Sequence, residues 1–144
     1  MAKQPKQFDL SLKKLDMSRI KDDEVIVFIG PRNSGKSFLV RDLLYHKRYI
    51  PCGVAISPTE EANRSFSDIM PPYYIFKEYT PETVDRILKR QKDTITQINM
   101  GNGKMEDVDP RAFLLMDDCL YDKNWIKDAH IREIFMNGRH WKLL

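Results

Sequence analysis

Residues Gly30, Pro31, Arg32, Asn33, Ser34, Gly35, Lys36 and Ser37 have the spacing G-x-x-x-x-G-K-S and directly follow the apolar run Val25-Ile26-Val27-Phe28-Ile29. Chemistry is easiest to assign here. Glycine at both ends lets the backbone curl until successive N–H groups converge on one anion, and a helix starting at that point adds the positive end of its dipole. Such a loop fits nucleotide phosphates. Lys36 would reach the β- and γ-phosphates as a point charge, and the Ser37 hydroxyl would take one site of a Mg²⁺ ion bridging them. A glycine-containing turn that binds nothing is the competing reading. The complete spacing, the apolar run before it and the amphipathic Phe38-Leu39-Val40-Arg41-Asp42-Leu43-Leu44-Tyr45 after it weigh against that reading.

A second group of candidate residues closes the apolar segment Ala112-Phe113-Leu114-Leu115-Met116, which ends in Asp117-Asp118. A buried strand ends at a polar residue in any case, so the pair is ambiguous alone. Beside a complete phosphate loop it looks like a Walker B element, with Asp117 holding Mg²⁺ opposite Ser37 and Asp118 orienting or deprotonating the water that attacks the γ-phosphate. Adjacent carboxylates repel unless one is solvated or a cation lies between them, a further reason to expect the metal. A second acid after the Mg²⁺ ligand belongs to motor-type ATPases and is generally missing from small-molecule kinases and GTPases. No Asn-Lys-x-Asp guanine motif occurs, nor an Arg-rich lid. Arg86, Lys89 and Arg90 keep a nucleotide kinase open, although helix-surface charge is the simpler account of all three.

The elements that must position these residues alternate strand and helix. Val54-Ala55-Ile56-Ser57 reads as a strand entered through Pro51 and Gly53. Thr59 caps a helix reaching about residue 69, and Pro71-Pro72 stops it. Tyr73-Tyr74-Ile75-Phe76 reads as another strand, and Val84, Ile87, Leu88, Ile95 and Ile98 place a long helix over 81–99. Residues 100–110 are a loop. This order predicts an α/β fold, a mostly parallel sheet with helices on both faces and the ligand at the carboxyl ends of the strands. Residues 1–23 are an arm rich in lysine (Lys3, Lys6, Lys13, Lys14, Lys21) with apolar Phe8, Leu10, Leu12 and Leu15; it either packs on the domain with its basic side toward phosphate or is a solvated tail. Residues 24–144 form the domain.

Composition sets outer limits. A chain of 144 residues with 42% hydrophobic content can bury one core. Its net charge of +3, from 24 basic and 21 acidic side chains, permits a nucleic-acid partner without implying one. Cys52 and Cys119 have neither CxxC nor Cys/His spacing, which points to reduced buried thiols and a cytosolic-type compartment. No run approaches the roughly 18 apolar residues of a membrane span, and the first residues lack the apolar core of a signal peptide, so the expected protein is soluble and not secreted.

With both motifs in place, Leu15-Asp16-Met17-Ser18-Arg19-Ile20, the loop at 30–37, Leu114-Leu115-Met116-Asp117-Asp118-Cys119 and Phe135-Met136-Asn137-Gly138-Arg139-His140-Trp141 together resemble the genome-packaging ATPase of nucleocytoplasmic large DNA viruses, a family of the FtsK–HerA superfamily of P-loop NTPases. The resemblance covers essentially the whole chain. It implies ATP hydrolysis, with ATP and Mg²⁺ bound, driving double-stranded DNA into a preformed capsid through a homo-oligomeric ring. Capsid or virion proteins would be partners, in the host cytoplasm or the virion. It implies further that Trp141-Lys142-Leu143-Leu144 opens a strand lying between the phosphate-loop strand and the Asp117 strand, one that carries a polar sensor, usually Gln. No such residue is present, so the expectation is a piece lacking its C-terminal strands, poorly stable alone, with activity belonging to the full protein. In ring motors a neighbouring subunit often supplies an arginine finger. Arg139 is the candidate, with Arg132 behind it, although Arg139 at a helix C-terminus would also complement the dipole. Arg32 touches phosphate or DNA or is solvated. His140 and Trp141 read as packing residues, and Tyr121, Lys123, Asn124 and Trp125 as a surface loop that could face DNA. The motor's rivals are a P-loop nucleotide kinase and a nucleotide-gated assembly protein without enzymatic activity.

Overall fold

The computed structural model describes residue 11 and residues 14–101, 108–119 and 123–144. Three parallel strands make the sheet: β1 (Cys52–Ile56), β2 (Ile75–Phe76) and β3 (Ala112–Met116), in the order β2-β1-β3. β1 is central. It pairs with β3 along its whole length, from Cys52↔Ala112 to Ile56↔Met116, and with β2 through Ala55↔Ile75 and Ile56↔Phe76. The ladder then runs one step further, because Ser57 N donates to Phe76 O and Asp117 N donates to Ile56 O, both at 2.9 Å. All three strands therefore finish level at their carboxyl ends.

Alternation along the strands sorts the two faces. Val54, Ile56, Leu114 and Met116 point one way, and there Ile56 forms the core with Tyr79, Val84, Cys119 and Ile131. Val84 comes from α3 (Pro81–Asn99) and Ile131 from α4 (Ala129–Asn137). α3 begins where the sequence says it should: Pro81 is at its first position and the Thr80 hydroxyl accepts from Thr83 N at 3.3 Å. Its fully buried Gln91 donates to Pro110 O at 2.8 Å and Trp141 O at 2.7 Å, tying the helix to the amino end of β3. On the opposite face a Cβ at Gly53 would fall 2.1 Å from ring carbons of Phe113, so only glycine admits that ring. α1 (Lys36–His46) stands over this face, and a cleft of about 410 Å³ lined by Leu44, Tyr45, Cys52, Gly53 and Phe113 separates it from the strands. Helices thus flank both faces, α1 the less closely.

Four expectations change. Residues 25–29 form no strand and pair with nothing among the described residues; Val27 is 63% and Ile29 91% exposed. A parallel strand gains stability from its ladder, and here the outer edge of β3 is met by residues 142–144 instead. Ala112 N donates to Lys142 O at 3.0 Å, Leu144 N to Ala112 O and Leu114 N to Leu144 O at 2.9 Å. Strand pairing at the end of the chain is therefore present, although Gly138–Trp141 is a tight helical turn and Leu143↔Ala112 an isolated parallel bridge. The helix expected to reach residue 69 is only α2 (Glu60–Asn63), ended by Arg64 at φ +45°. Glu60 explains this. Its carboxylate accepts from Phe66 N (3.1 and 3.2 Å) and Ser67 N (2.8 Å), folding the chain back and burying Phe66. Finally, Pro72–Tyr74 is a helical turn, which leaves the strand only Ile75 and Phe76.

Of the arm, Lys3, Lys6, Phe8, Leu10, Leu12 and Lys13 lie outside the described residues. Its later part is tied to the domain. Met17 is buried, and Asp22 Oδ1 accepts from Lys47 Nζ at 2.8 Å and Tyr49 OH at 2.6 Å, while Oδ2 accepts from Arg111 at 2.9 Å. Burial alone would raise the Asp22 pKa, but bonds from Lys47, Tyr49 and Arg111 outweigh it and bring it down to about 2. A carboxyl held below its unfolded value adds stability that is complete above that value and disappears as pH falls through the folded one. Thermal unfolding is therefore expected to lose about 2 kcal/mol between pH about 4 and about 2 on account of this group. Asp22→Asn should lose a similar amount at pH 7 and flatten that acid limb; an unchanged melting profile would show that the cluster carries no stability.

Candidate phosphate-loop site

The loop at 30–37 has the backbone that anion binding requires. Asn33 (φ +60°) and Gly35 (φ +87°) are both left-handed, turning the chain immediately before α1 starts at Lys36. A Cβ at Gly30 would come within 2.8 Å of Ser34 Oγ, so any other residue there would turn the Ser34 hydroxyl aside. Gly35 precedes α1 without any side-chain cap, so the first N–H groups of the helix keep their donor capacity for a ligand. Gly30, Pro31, Arg32, Asn33, Ser34 and Gly35 are all exposed. Lys36 Nζ donates to the carbonyls of Gly30 (2.9 Å) and Pro31 (2.8 Å), so the ammonium folds over its own loop.

Asp117 and Asp118 are carried past Met116 to the level carboxyl end of the sheet. With strand order β2-β1-β3, the chain leaves β1 toward β2 on one side and returns through α3 to β3 on the other. The crevice outside β1 and β3 is thus the switch point at which open α/β sheets hold ligands. Asp117 is half-buried and its pKa is raised: burial is the largest cause, the neighbouring Asp118 charge adds to it and Glu60 adds a little, while the Ser57 hydrogen bond and the Lys36 charge oppose. The influence of Lys36 on Asp117 puts the loop lysine and the strand-end carboxylate in one electrostatic neighbourhood. Asp118 is exposed and left-handed, φ +53°.

The donor set suits Mg²⁺, which takes most of its ligands from phosphate oxygens and water and one or two from protein. Ser37 in the first turn of α1 and Asp117 are the residues that could supply them, and among the described residues no three His, Cys, Asp or Glu side chains cluster to cage a metal by themselves.

Other candidates lie elsewhere. Arg139 sits in the Gly138–Trp141 turn; its carbonyl accepts from Lys142 N, and Lys142 O accepts from Ala112 N. That is the amino end of β3, a strand length of about 16 Å from Asp117, so Arg139 is not brought to Lys36 or Asp118 of its own chain. Arg132 is exposed and donates to Lys127 O at 2.8 Å. His140 is exposed rather than packed, whereas half-buried Trp141 has Lys92 Nζ 5.5 Å from its ring centroid. Trp125 anchors its loop by packing on the core and donating Nε1 to Cys119 O at 2.8 Å; Lys123 and Asn124 beside it are exposed, and Tyr121 lies outside the described residues. Arg86, Lys89 and Arg90 are exposed charge on α3. Cys119 is buried and Cys52 half-buried, both as free thiols. The larger cleft, about 830 Å³, also lies away from the loop, at the amino ends of the strands beside Asp22, Lys47 and Arg111, whose charges are already spent on one another.

Sequence reading missed Ser57 and misread Thr59. Ser57 Oγ donates to Asp117 Oδ2 at 3.4 Å and Thr59 Oγ1 to Asp118 Oδ2 at 3.2 Å. The signal was a hydroxyl residue directly after the apolar run of β1, the position that Asp117 occupies after β3, with a second hydroxyl residue two positions on.

Fold and site together define an α/β protein with a small parallel sheet and an exposed glycine-containing loop ahead of α1. Comparison with known proteins adds viral relatives. The chain is 41% identical over 133 residues to uncharacterized protein L437 of Acanthamoeba polyphaga mimivirus, covering 92% of this chain and 47% of that protein. It is 43% identical over 120 residues to uncharacterized protein 075L of Invertebrate iridescent virus 6 (83% and 43%), and 38% identical over 120 residues to uncharacterized protein 015R of Frog virus 3 (83% and 35%). The chain thus spans less than half the length of these viral relatives. No protein-family profile and no solved structure matches it. Among the described residues no helix is long and apolar enough to cross a membrane.

Proposed function

We propose that this chain is the nucleotide-binding part of a P-loop ATPase that translocates double-stranded DNA to package a viral genome. One observation carries the reading: a left-handed, uncapped loop opens α1, and two adjacent carboxylates close β3 at the sheet's switch point. Lys36 would neutralise phosphate charge, the backbone of 30–37 would hold the β-phosphate, Ser37 and Asp117 would hold Mg²⁺, and Asp118 would take a proton from the attacking water. Bound there, Mg²⁺ supplies charge neutralisation to the phosphoryl oxygens. The viral relatives agree with a role in the host cytoplasm or the virion, and Arg139, remote from its own site, is available to a neighbouring subunit in a ring. ATP turnover by the whole gene product, measured with and without double-stranded DNA, tests the proposal. Stimulation by DNA is expected; phosphoryl transfer to a nucleoside or nucleotide, or nucleotide binding without turnover, would overturn it.

A further inference from the structure

Two hydroxyls at the carboxyl end of β1 meet the two carboxylates at the carboxyl end of β3. Ser57, 1% exposed, donates to Asp117, and Thr59 donates to Asp118. The second bond is the more informative. Thr59 stands directly before α2, where a threonine side chain ordinarily accepts from the first helical N–H groups. It makes no such bond, and its hydroxyl is turned to Asp118 instead. Asp118 is itself in the left-handed region, where a non-glycine residue persists only if its surroundings hold it.

We infer that Thr59 is a positioning residue for Asp118, the hydroxyl that fixes the orientation of the exposed carboxylate. The inference rests on the reading of Asp118 as the water-activating base. Oδ2 accepts from Thr59, and on this exposed carboxylate Oδ1 is the oxygen left to take the proton of an attacking water. Without the hydroxyl, the carboxylate of an exposed aspartate turns among its rotamers, and the fraction presenting a correctly placed oxygen falls. Thr59 contributes little else, because the short α2 takes no cap from it.

Thr59→Val keeps the shape and removes the donor, whereas Thr59→Ser keeps the donor. Both are to be compared in the whole gene product with Asp118→Asn and with the double variant Thr59→Val/Asp118→Asn, measuring kcat, the dissociation constant for ATP and the melting temperature. Thr59→Val should lower kcat about tenfold, the size of one hydrogen bond to a charged group, with ATP affinity within about twofold and melting unchanged. Thr59→Ser should stay within about twofold of wild-type kcat, and the double variant should turn over no more slowly than Asp118→Asn. Wild-type kcat in Thr59→Val, an equal fall in the Asp118→Asn background, or a fall that follows melting temperature and is not restored by serine would each overturn the positioning role. Should Asp118→Asn itself turn over at the wild-type rate, the base assignment fails and the positioning role fails with it. A slow Asp118→Asn beside a fully active Thr59→Val refutes only the latter.

Discussion

Lys36→Ala is expected to weaken ATP binding by at least about 100-fold, because it removes the cation assigned to the β- and γ-phosphates and leaves backbone N–H groups to carry most of the hold on a multiply charged anion. The fold should not register the change. In the structure Lys36 Nζ bonds only to the Gly30 and Pro31 carbonyls, both at the surface, and these accept from water equally well. Titration of the variant with ATP and Mg²⁺ beside a melting curve separates the two effects. Unchanged affinity would remove the loop from the site, and a large fall in melting temperature would turn Lys36 into a structural residue. Arginine makes a useful companion: it restores the charge, but its planar fork replaces a compact ammonium that folds back onto the Gly30 and Pro31 carbonyls, so Lys36→Arg should recover little affinity.

Asp118→Asn is expected to leave ATP affinity within about twofold of wild type while turnover falls by roughly 100- to 1000-fold, the range of a lost general base. Asparagine is the informative replacement for a backbone reason. Asp118 is held at φ +53°, and asparagine tolerates the left-handed region better than other non-glycine residues, so the loop keeps its shape and only the proton acceptor disappears. Asparagine also still accepts a hydrogen bond from Thr59. Single-turnover hydrolysis with enzyme in excess isolates the chemical step from product release; a wild-type rate there would remove Asp118 from the reaction.

Parts of this architecture can be read directly from the residues because the forces are local. Thr80-Pro81 starts α3 and the apolar spacing carries it to Asn99, all within one segment. β3 is likewise legible, an apolar run closed by two acids at 112–118. The exceptions depend on partners distant in sequence. An apolar run such as 25–29 asks for burial without saying what will cover it, and in the structure Ile29 is almost wholly exposed. α2 looks longer than it is because the Glu60 carboxylate, read as a first-turn helix residue, accepts from the chain at Phe66 and Ser67 and reverses it. Thr59 has the residue type of a cap, and only the fold brings it to an aspartate 59 positions away. Asp22 is the extreme case: its partners Lys47 and Arg111 are 25 and 89 positions distant, and nothing in its neighbourhood announces them.

The Asp22 cluster has a mechanical corollary for α1. Lys47, at the carboxyl terminus of that helix, is locked to Asp22 and to the Ile20 carbonyl, and Asp22 is locked in turn to Arg111 at the root of β3. The other terminus carries Lys36 and the exposed loop at 30–35. Because Lys47 fixes one tip, the angle of α1 at that end decides where the Lys36 tip stands. With a length of about 16 Å, a tilt of about 10° about the Lys47 fulcrum displaces the Lys36 tip by about 3 Å, roughly the gap between contact and no contact for a phosphate oxygen. The position of Lys36 therefore depends on three side chains, Lys47, Asp22 and Arg111, at the opposite end of the helix.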